Sequence, residues 1–148
     1  MTTHSLIAKQ VRQVQQSCMC LHLQKAARVA ARQFDDAFRP LDLTSGQYSL
    51  LVALVRQKSP SIGQLAEDMA MDRTTVTANI KPLQKRGLLE TVVDPTDARS
   101  RLLVLTPKGE ALLKKAFPLW QLAQAKLLEA LSTNSQSQLL NALRKVAE

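Results

Sequence analysis

Glycine, cysteine and aromatic residues are all scarce in this chain of 148 residues. It has 4 glycines, 2 cysteines and 3% aromatic residues. Two cysteines are too few for a disulfide framework, and so few glycines leave little room for phosphate-cradling loops. Because aromatic residues are rare, alanine, leucine and valine have to fill the core, which favours a mainly helical fold over a β-sandwich.

Long apolar runs and export signals are also missing. No segment reaches the roughly 18 apolar residues of a membrane span, and the start MTTHSLIAKQ has no apolar run behind a basic cap. We therefore expect a cytoplasmic protein without membrane contact. The chain does have 45% hydrophobic residues, enough for one domain with a core, and a net charge of +8, which suits an anionic partner such as nucleic acid.

Catalytic signatures are absent from the sequence as well. It has no nucleophile elbow, no glycine-rich phosphate loop and no HExxH motif. His4 and His22 are not at ligand spacing to each other or to a cysteine. The sequence therefore predicts no enzyme, no cofactor and no metal site.

Residues 7–38 form the first predicted helix, which contains no glycine or proline and ends before Pro40. It has two apolar stripes on different faces, and a helix with two apolar faces needs two packing partners. We expect these to be its own domain and a second subunit. The first stripe is Ile7, Val11, Val14, Cys18 and Leu21, and the second is Cys20, Leu23, Ala27, Ala30, Phe34 and Phe38.

The middle of the chain predicts three further helices with polar N-caps. Thr44, Ser61 and Asp72 are the expected caps. The Lys58-Ser59-Pro60 stretch separates the first two helices, and Gly87 is placed to end the third.

A β-hairpin and two more helices are expected to follow. The β-prone runs 88–93 and 101–105 flank the polar turn 94–100. Thr106 and Pro107 fit the start of a long helix to residue 131. A last helix, capped at residue 132 or 133, is predicted to end near residue 147.

The segment from Ser61 to Arg86 matches the plan of a helix-turn-helix, whose second helix enters the major groove of DNA. In that helix Val76, Ile80 and Leu83 recur at helical spacing and are predicted to face the core. The remaining polar and small residues suit phosphate and base-edge contacts, and arginines of the hairpin can reach a minor groove. These candidate DNA-binding residues are Arg73, Thr74, Thr75, Thr77, Ala78, Asn79, Lys81, Arg99 and Arg101.

On these residues the sequence resembles the MarR family of winged helix-turn-helix regulators, named for multiple antibiotic resistance. The resemblance covers nearly the whole chain, and its most specific segment runs from the wing into the helix that follows. The matching stretches are Leu65-Ala66, DRTTVT at 72–77, LQKRGL at 83–88, and DPTDARSR at 94–101 leading to LTPKG at 105–109.

The resemblance implies a mainly α fold with a small β-hairpin wing. Residues 1–43 and 106–148 would form a helical dimerisation region, and residues 44–105 a winged DNA-binding domain. Such proteins are homodimers that commonly repress genes by binding duplex DNA. The wing arginine corresponds to Arg99, which enters the minor groove and is held by Asp97, and the matching stretches add Lys85 to the candidates.

Family members release DNA when a small phenolic or anionic ligand binds between the dimerisation helices and the winged domain, or when a cysteine is oxidised. For a ligand, small alanines leave room beside the first helix, while Gln24 and Arg28 offer polar anchors for an anionic aromatic molecule. The candidate walls are Cys20, Gln24, Ala27, Arg28, Tyr48, Phe117 and Trp120.

Oxidation of Cys20 is the alternative trigger. The resemblance places Cys20 where the hydroperoxide-sensing branch has its reactive cysteine, but Gln24, Phe34 and Ser45 stand where that branch has tyrosines. Cys18 and Cys20 lie about 200° apart on a helix and cannot bond each other there. We expect Cys20 to be buried in its apolar stripe, which ranks oxidation below ligand binding.

Two functions of different classes therefore remain open. The first is a ligand- or redox-gated repressor, whose operator would be a pseudo-palindrome with half-site centres about 10 bp apart. The second is a helical interaction module that keeps the winged fold for protein contacts and does not bind DNA.

Overall fold

The computed structural model describes the backbone of residues 3–148 and the side chains from residue 6 onward, so residues 1 and 2 of the predicted dimerisation region lie outside it. The predicted fold class, mainly α with a small hairpin, is confirmed. The elements are α1 (Thr3–Ser17), α2 (Met19–Phe38), a 3-10 turn (Arg39–Leu41), α3 (Ser45–Gln57), α4 (Ile62–Asp68), α5 (Arg73–Lys85), β1 (Leu89–Asp94), β2 (Asp97–Leu105), α6 (Pro107–Leu128) and α7 (Thr133–Ala147).

Two helices of the middle region begin with complete capping boxes. Thr44 Oγ1 accepts a hydrogen bond from the backbone N–H of Gln47 at 3.1 Å, and Gln47 Oε1 accepts one from the N–H of Thr44 at 3.1 Å. Ser61 and Gln64 form the same reciprocal pair at the start of α4. Each box satisfies two backbone donors that a helix end leaves free, and the predicted caps are confirmed.

The prediction of a single helix over residues 7–38 is wrong, because the chain leaves the helical conformation at Cys18. The backbone of Cys18 is extended (φ −73°, ψ 104°), and its Sγ accepts a hydrogen bond from the N–H of Leu21 at 3.4 Å. His22 Nε2 lies 3.0 Å from the carbonyl oxygen of Gln15, which the end of α1 leaves free. Cysteine is not a usual N-cap, so the sequence carried no signal for this break.

The hairpin turn is shorter than predicted. Asp94 Oδ1 accepts hydrogen bonds from the backbone N–H and the hydroxyl of Thr96, so the reversal is complete by Asp97, where β2 begins. The register runs from Leu89 opposite Leu105 to Val93 opposite Arg101 and then shifts, which leaves residues 98–100 as a bulge on β2.

The core lies between the helix-turn-helix, the hairpin and the end of α2. Val76, Ile80 and Leu83, the core positions predicted for α5, are all buried, and α5 continues through Pro82 to Lys85. Burying one such side chain contributes about 1.5–3 kcal/mol. The largest other buried side chains are Phe38, Leu50, Leu51, Leu65, Leu88, Leu89 and Leu103.

The start of α6 is fixed directly onto the hairpin. Thr106 caps α6 by accepting from the N–H of Gly109 at 3.1 Å, and its hydroxyl donates to the carbonyl oxygen of Gly87 at 2.7 Å. Its own N–H donates to the carbonyl oxygen of Leu88 at 3.1 Å. A Cβ at Gly109 would lie 2.1 Å from that oxygen, so only glycine permits this approach.

The outer faces of α1 and α7 are apolar and uncovered in a single chain. Ile7, Val11 and Val14 are each about half exposed. On α7, which Ser132 caps, the exposed apolar residues are Leu139, Leu140, Leu143 and Val146. Among the described residues no helix is long and apolar enough to cross a membrane.

Candidate functional site

The N-terminus of α5 is held by Asp72. Its two carboxylate oxygens accept hydrogen bonds from the backbone N–H of Thr75 at 2.8 Å and from the hydroxyl of Thr75 at 2.6 Å. Because these bonds stabilise the ionised form, they lower the pKa of Asp72 below its ordinary value. The first turn of α5 is therefore fixed before any partner binds, and the hydroxyl of Thr75 is already engaged.

One exposed, shallow surface of α5 brings together five of the predicted DNA-binding residues, and we call it the α5 surface. It is lined by Arg73, Thr74, Thr77, Ala78 and Lys81. These positions recur at helical spacing, with a cationic side chain towards each end. The guanidinium of Arg73 packs over α4, since a Cβ at Gly63 would lie 3.0 Å from its Nη2 atom.

The three other predicted residues of α5, which lie outside this surface, are Thr75, Asn79 and Lys85. Asn79 is half-buried, and its Nδ2 donates to the carbonyl oxygen of Thr75 at 2.9 Å. Lys85 is exposed in the last turn of α5, away from the N-terminal half that enters a groove in a helix-turn-helix.

The three predicted wing residues are all exposed, but the two arginines differ in their contacts. Asp97 Oδ1 accepts a hydrogen bond from the backbone N–H of Arg99 at 2.9 Å. Arg101 Nη1 donates to the carbonyl oxygens of Ala98 and Ser100 at 2.9 and 3.0 Å. The guanidinium of Arg101 therefore braces the bulge, whereas the side chain of Arg99 extends from it into solvent.

The wing and the helix-turn-helix are joined into one unit. Gln84 near the end of α5 donates from Nε2 to the hydroxyl of Thr91 on β1 at 2.7 Å. The backbone N–H of Leu103 on β2 donates to the carbonyl oxygen of Pro60 at 2.9 Å, just before α4. The position of the wing relative to α4 and α5 is thereby set by the fold.

A cavity of about 450 Å³ lies between α2, α3 and α6, a size suited to a small molecule. Its aromatic walls are Phe34, Phe38, Tyr48, Phe117 and Trp120, and its polar lining is Ser45, Ser49 and Arg56. The Phe38 and Tyr48 rings are 4.6 Å apart between centroids, and burial raises the pKa of Tyr48.

The structure divides the seven predicted ligand residues into two groups. Tyr48, Phe117 and Trp120 line the cavity, whereas Cys20, Gln24, Ala27 and Arg28 do not. Those four lie on the N-terminal half of α2 and are exposed. The wall from α2 begins at Phe34, about 9 Å further along the helix axis than Arg28.

Arg56 is the charged residue of the cavity, and the sequence did not single it out. It lies in the last turn of α3 and forms an ion pair with Asp68, the last residue of α4. The hydrogen bond from Arg56 lowers the pKa of Asp68. The contact joins residues 12 apart in the chain, on the surface of two helices, and no local pattern marks it.

The two cysteines have different environments. Cys18 is half-buried and caps α2, whereas Cys20 is exposed, and its Sγ accepts a hydrogen bond from Gln24 Nε2 at 3.3 Å. Cys20 is thus not buried within a single chain as expected, because the N-terminal half of α2 extends beyond the core and only Phe38 of that helix is buried.

No group of three or more potential metal ligands comes together in the part of the chain that the structure describes. His22 lies against the carbonyl oxygen of Gln15. The side chain of His4 lies outside the described residues.

Comparison with known proteins gives the family of this chain. A family model described as the MarR family matches residues 41–100. The transcriptional regulator HosA of Escherichia coli O111:H- is 31% identical over 107 residues, which are 71% of this chain and 78% of HosA. The chain belongs to the MarR family. It matches the Bacillus subtilis regulator YybA at 37% identity over a shorter stretch, 52% of YybA.

Solved structures of similar proteins extend the likeness to most of the chain. The Mycobacterium tuberculosis regulator MosR, solved in complex with DNA, has a TM-score of 0.78 and 30% identity, covering 88% of this chain and 94% of MosR. Bordetella bronchiseptica BpsR, whose DNA binding is regulated by 6-hydroxynicotinic acid, has a TM-score of 0.80 and 27% identity, covering 89% and 100%.

MarR-family membership makes this chain a transcriptional regulator of a DNA-binding family rather than an enzyme. The family match over residues 41–100 contains the whole α5 surface and the wing residue Arg99. It also contains Tyr48 and Arg56 of the cavity.

Proposed function

We propose that this MarR-family protein is a repressor whose homodimer binds a pseudo-palindromic duplex operator. The carrying observation is the α5 surface, in which Arg73 and Lys81 flank three small side chains. Cationic side chains suit phosphate contacts, and small side chains suit close approach to base edges in the major groove. The DNA complex of the similar protein MosR supports the proposal.

The wing extends the contact to a neighbouring minor groove. Arg99 is exposed on the bulge of β2, and an arginine there is attracted to the negative potential of a narrow minor groove. Arg101 stabilises the bulge that carries Arg99, because it donates two hydrogen bonds to carbonyl oxygens of the bulge. Residues 44–105 form the DNA-binding domain in this proposal.

The uncovered apolar faces of α1 and α7 support the homodimer. Such faces are seldom left in water, and two-fold pairing of residues 1–43 and 106–148 would bury them. Two recognition helices related by a two-fold axis would then meet half-sites about 10 bp apart. We expect the protein to act in the cytoplasm, as family members do.

The test is selection of bound duplexes from a random pool, with sedimentation of the protein at micromolar concentration. The proposal expects a dimer and an enriched pseudo-palindrome. A monomer, an asymmetric site or no enrichment contradicts it. Lys81→Ala removes one positive charge from the α5 surface. Its matched control is Lys126→Ala, which removes one exposed charge from α6.

We further propose that a small anionic aromatic ligand in the cavity releases the operator. Aromatic walls with a few polar groups are the usual composition of a ligand site, and here Arg56 supplies the cation. BpsR, a similar protein, is regulated by 6-hydroxynicotinic acid, a molecule of this class.

The ion pair between Arg56 and Asp68 would couple ligand binding in the cavity to the DNA-binding helices. A ligand carboxylate that binds Arg56 would compete with Asp68 and loosen the tie between α3 and α4, the first helix of the helix-turn-helix. A ligand shifts the protein only if it binds one arrangement better than the other. Operator release is therefore measured with 6-hydroxynicotinic acid and with salicylate, and release by neither contradicts the proposal.

Oxidation of Cys20 is the second candidate trigger, favoured by the exposure of its thiol in a single chain. An accessible thiol is a requirement of redox sensing. Operator complexes of the wild type and of Cys20→Ser are treated with cumene hydroperoxide. Release that disappears in the variant would establish redox sensing in place of ligand sensing.

A further inference from the structure

At Thr77 and Ala78 the α5 surface presents methyl groups. Thr77 Oγ1 donates its hydrogen to the carbonyl oxygen of Arg73 at 2.7 Å, so this hydrogen is not free for a base. Ala78 is exposed and has only a methyl group. Both residues line the same shallow surface, between the cations at Arg73 and Lys81.

The amide of Asn79 and the hydroxyl of Thr75 are turned to the backbone and the cap of α5. Asn79 Nδ2 donates to the carbonyl oxygen of Thr75, and the Thr75 hydroxyl donates to Asp72. An asparagine reads adenine through a bidentate contact that needs the whole amide. The half-buried Asn79 is therefore poorly placed to read adenine. Base reading by α5 then depends more on the apolar part of the α5 surface.

We propose that Thr77 and Ala78 read the 5-methyl groups of thymines in each half-site of the operator. Thymine is the base that presents a methyl group in the major groove, where alanine and the threonine methyl contact it. The inference rests on the proposed function, because it requires α5 to enter the major groove. The inference adds a base preference at the centre of the α5 surface. Arg73 and Lys81 would contact the DNA phosphates on either side.

The test replaces each thymine of the selected operator in turn by uracil, which lacks only the methyl group. Burying one methyl group corresponds to about a fourfold change in affinity, so we expect about a fourfold loss per half-site at each of two thymines, one contacted by Thr77 and the other by Ala78. Affinity is measured by fluorescence anisotropy for the wild type, Thr77→Ser and Ala78→Gly, each checked by circular dichroism and thermal melting.

The matched control is Thr77→Val, which keeps a methyl group and loses the hydroxyl. Thr77→Ser should abolish the uracil penalty at one thymine, Ala78→Gly should abolish it at the other, and Thr77→Val should retain both penalties. Equal binding of thymine and uracil operators by the wild type overturns the inference, as do penalties unchanged in Thr77→Ser and Ala78→Gly. Failure of the proposed function is distinct, because the wild type would then not bind the all-thymine operator.

Discussion

Asp97 holds Arg99 through the backbone, since its Oδ1 accepts a hydrogen bond from the backbone N–H of Arg99 at 2.9 Å while the side chain of Arg99 is exposed. The carboxylate thus shapes the bulge of β2 and leaves the guanidinium available to a partner. Resemblance to the family implies that Asp97 holds this arginine, and in the structure the contact between the two residues is this bond to the backbone.

Arg99→Ala is expected to weaken operator binding while leaving the dimer intact. Loss of a charge-assisted contact costs about 1–3 kcal/mol, or about 5- to 160-fold in affinity. Fluorescence anisotropy at physiological salt measures it, with Lys126→Ala as the control for lost charge. Unchanged affinity of Arg99→Ala for the selected operator would show that the wing does not contact DNA.

Asp97→Asn is expected to bind DNA nearly as well as the wild type, whereas Asp97→Ala binds more weakly. The asparagine oxygen can still accept the hydrogen bond from the N–H of Arg99, and alanine cannot. The same anisotropy assay compares the two variants. Equal losses in both would indicate that the charge of Asp97 matters instead of its bond to the backbone.

Gly109→Ala is expected to destabilise the fold because a Cβ would lie 2.1 Å from the carbonyl oxygen of Leu88. The helix would have to move away from the hairpin, which costs about 1–3 kcal/mol. Gly46→Ala is the control, since its Cβ would meet Asn79 Oδ1 only at 3.9 Å. Chemical denaturation should show a large loss for the first variant and little change for the second, and equal stability of the two would be inconsistent with the close approach.

The stability of the protein should fall in acid partly through Asp72. Hydrogen bonds from Thr75 lower the pKa of Asp72 below its ordinary value of 3.8, so the folded state binds fewer protons than the unfolded state. Its contribution is complete above that value and is lost as the pH falls through the lower, folded pKa. Asp72→Asn keeps the cap without the titration, so between about pH 6 and about pH 3 it should lose less stability than the wild type. A parallel loss in both proteins would exclude this role.

Asp68→Asn is expected to tighten binding of 6-hydroxynicotinic acid severalfold, because the ligand carboxylate would no longer compete with Asp68 for Arg56. Arg56→Gln should abolish that binding. Calorimetry with the neutral amide of the same ligand is the control, and Asp68→Asn should not change its affinity. Equal effects on acid and amide would mean that Arg56 does not anchor the carboxylate.

Local signals predicted the helix starts well. A short polar side chain followed three residues later by glutamine stands at Thr44 and Ser61, and both form capping boxes. The helical spacing of Val76, Ile80 and Leu83 likewise predicted that they lie in the core. These features depend on neighbours within one helical turn, which a sequence shows directly.

Features that depend on tertiary contacts could not be predicted in the same way. The break at Cys18 has neither glycine nor proline, and its cap is a thiol. The pairing of Arg56 with Asp68 joins two helices, and the position of the cavity along α2 depends on how α6 packs against it. Four predicted ligand residues lie too close to the N-terminus of α2 to reach the cavity. Cys20 and Ala27 are in the second apolar stripe, and Gln24 and Arg28 lie beside it.

The salt dependence of operator binding tests the central claim most directly. Fluorescence anisotropy with the selected duplex should show the logarithm of the binding constant falling linearly with the logarithm of salt concentration. Lys81→Ala should lower that slope by about 0.9, the value for one lost phosphate contact, whereas Lys126→Ala should leave it unchanged. Binding to no duplex, or binding without salt dependence, would contradict the account and favour a helical interaction module that uses the winged fold for protein contacts.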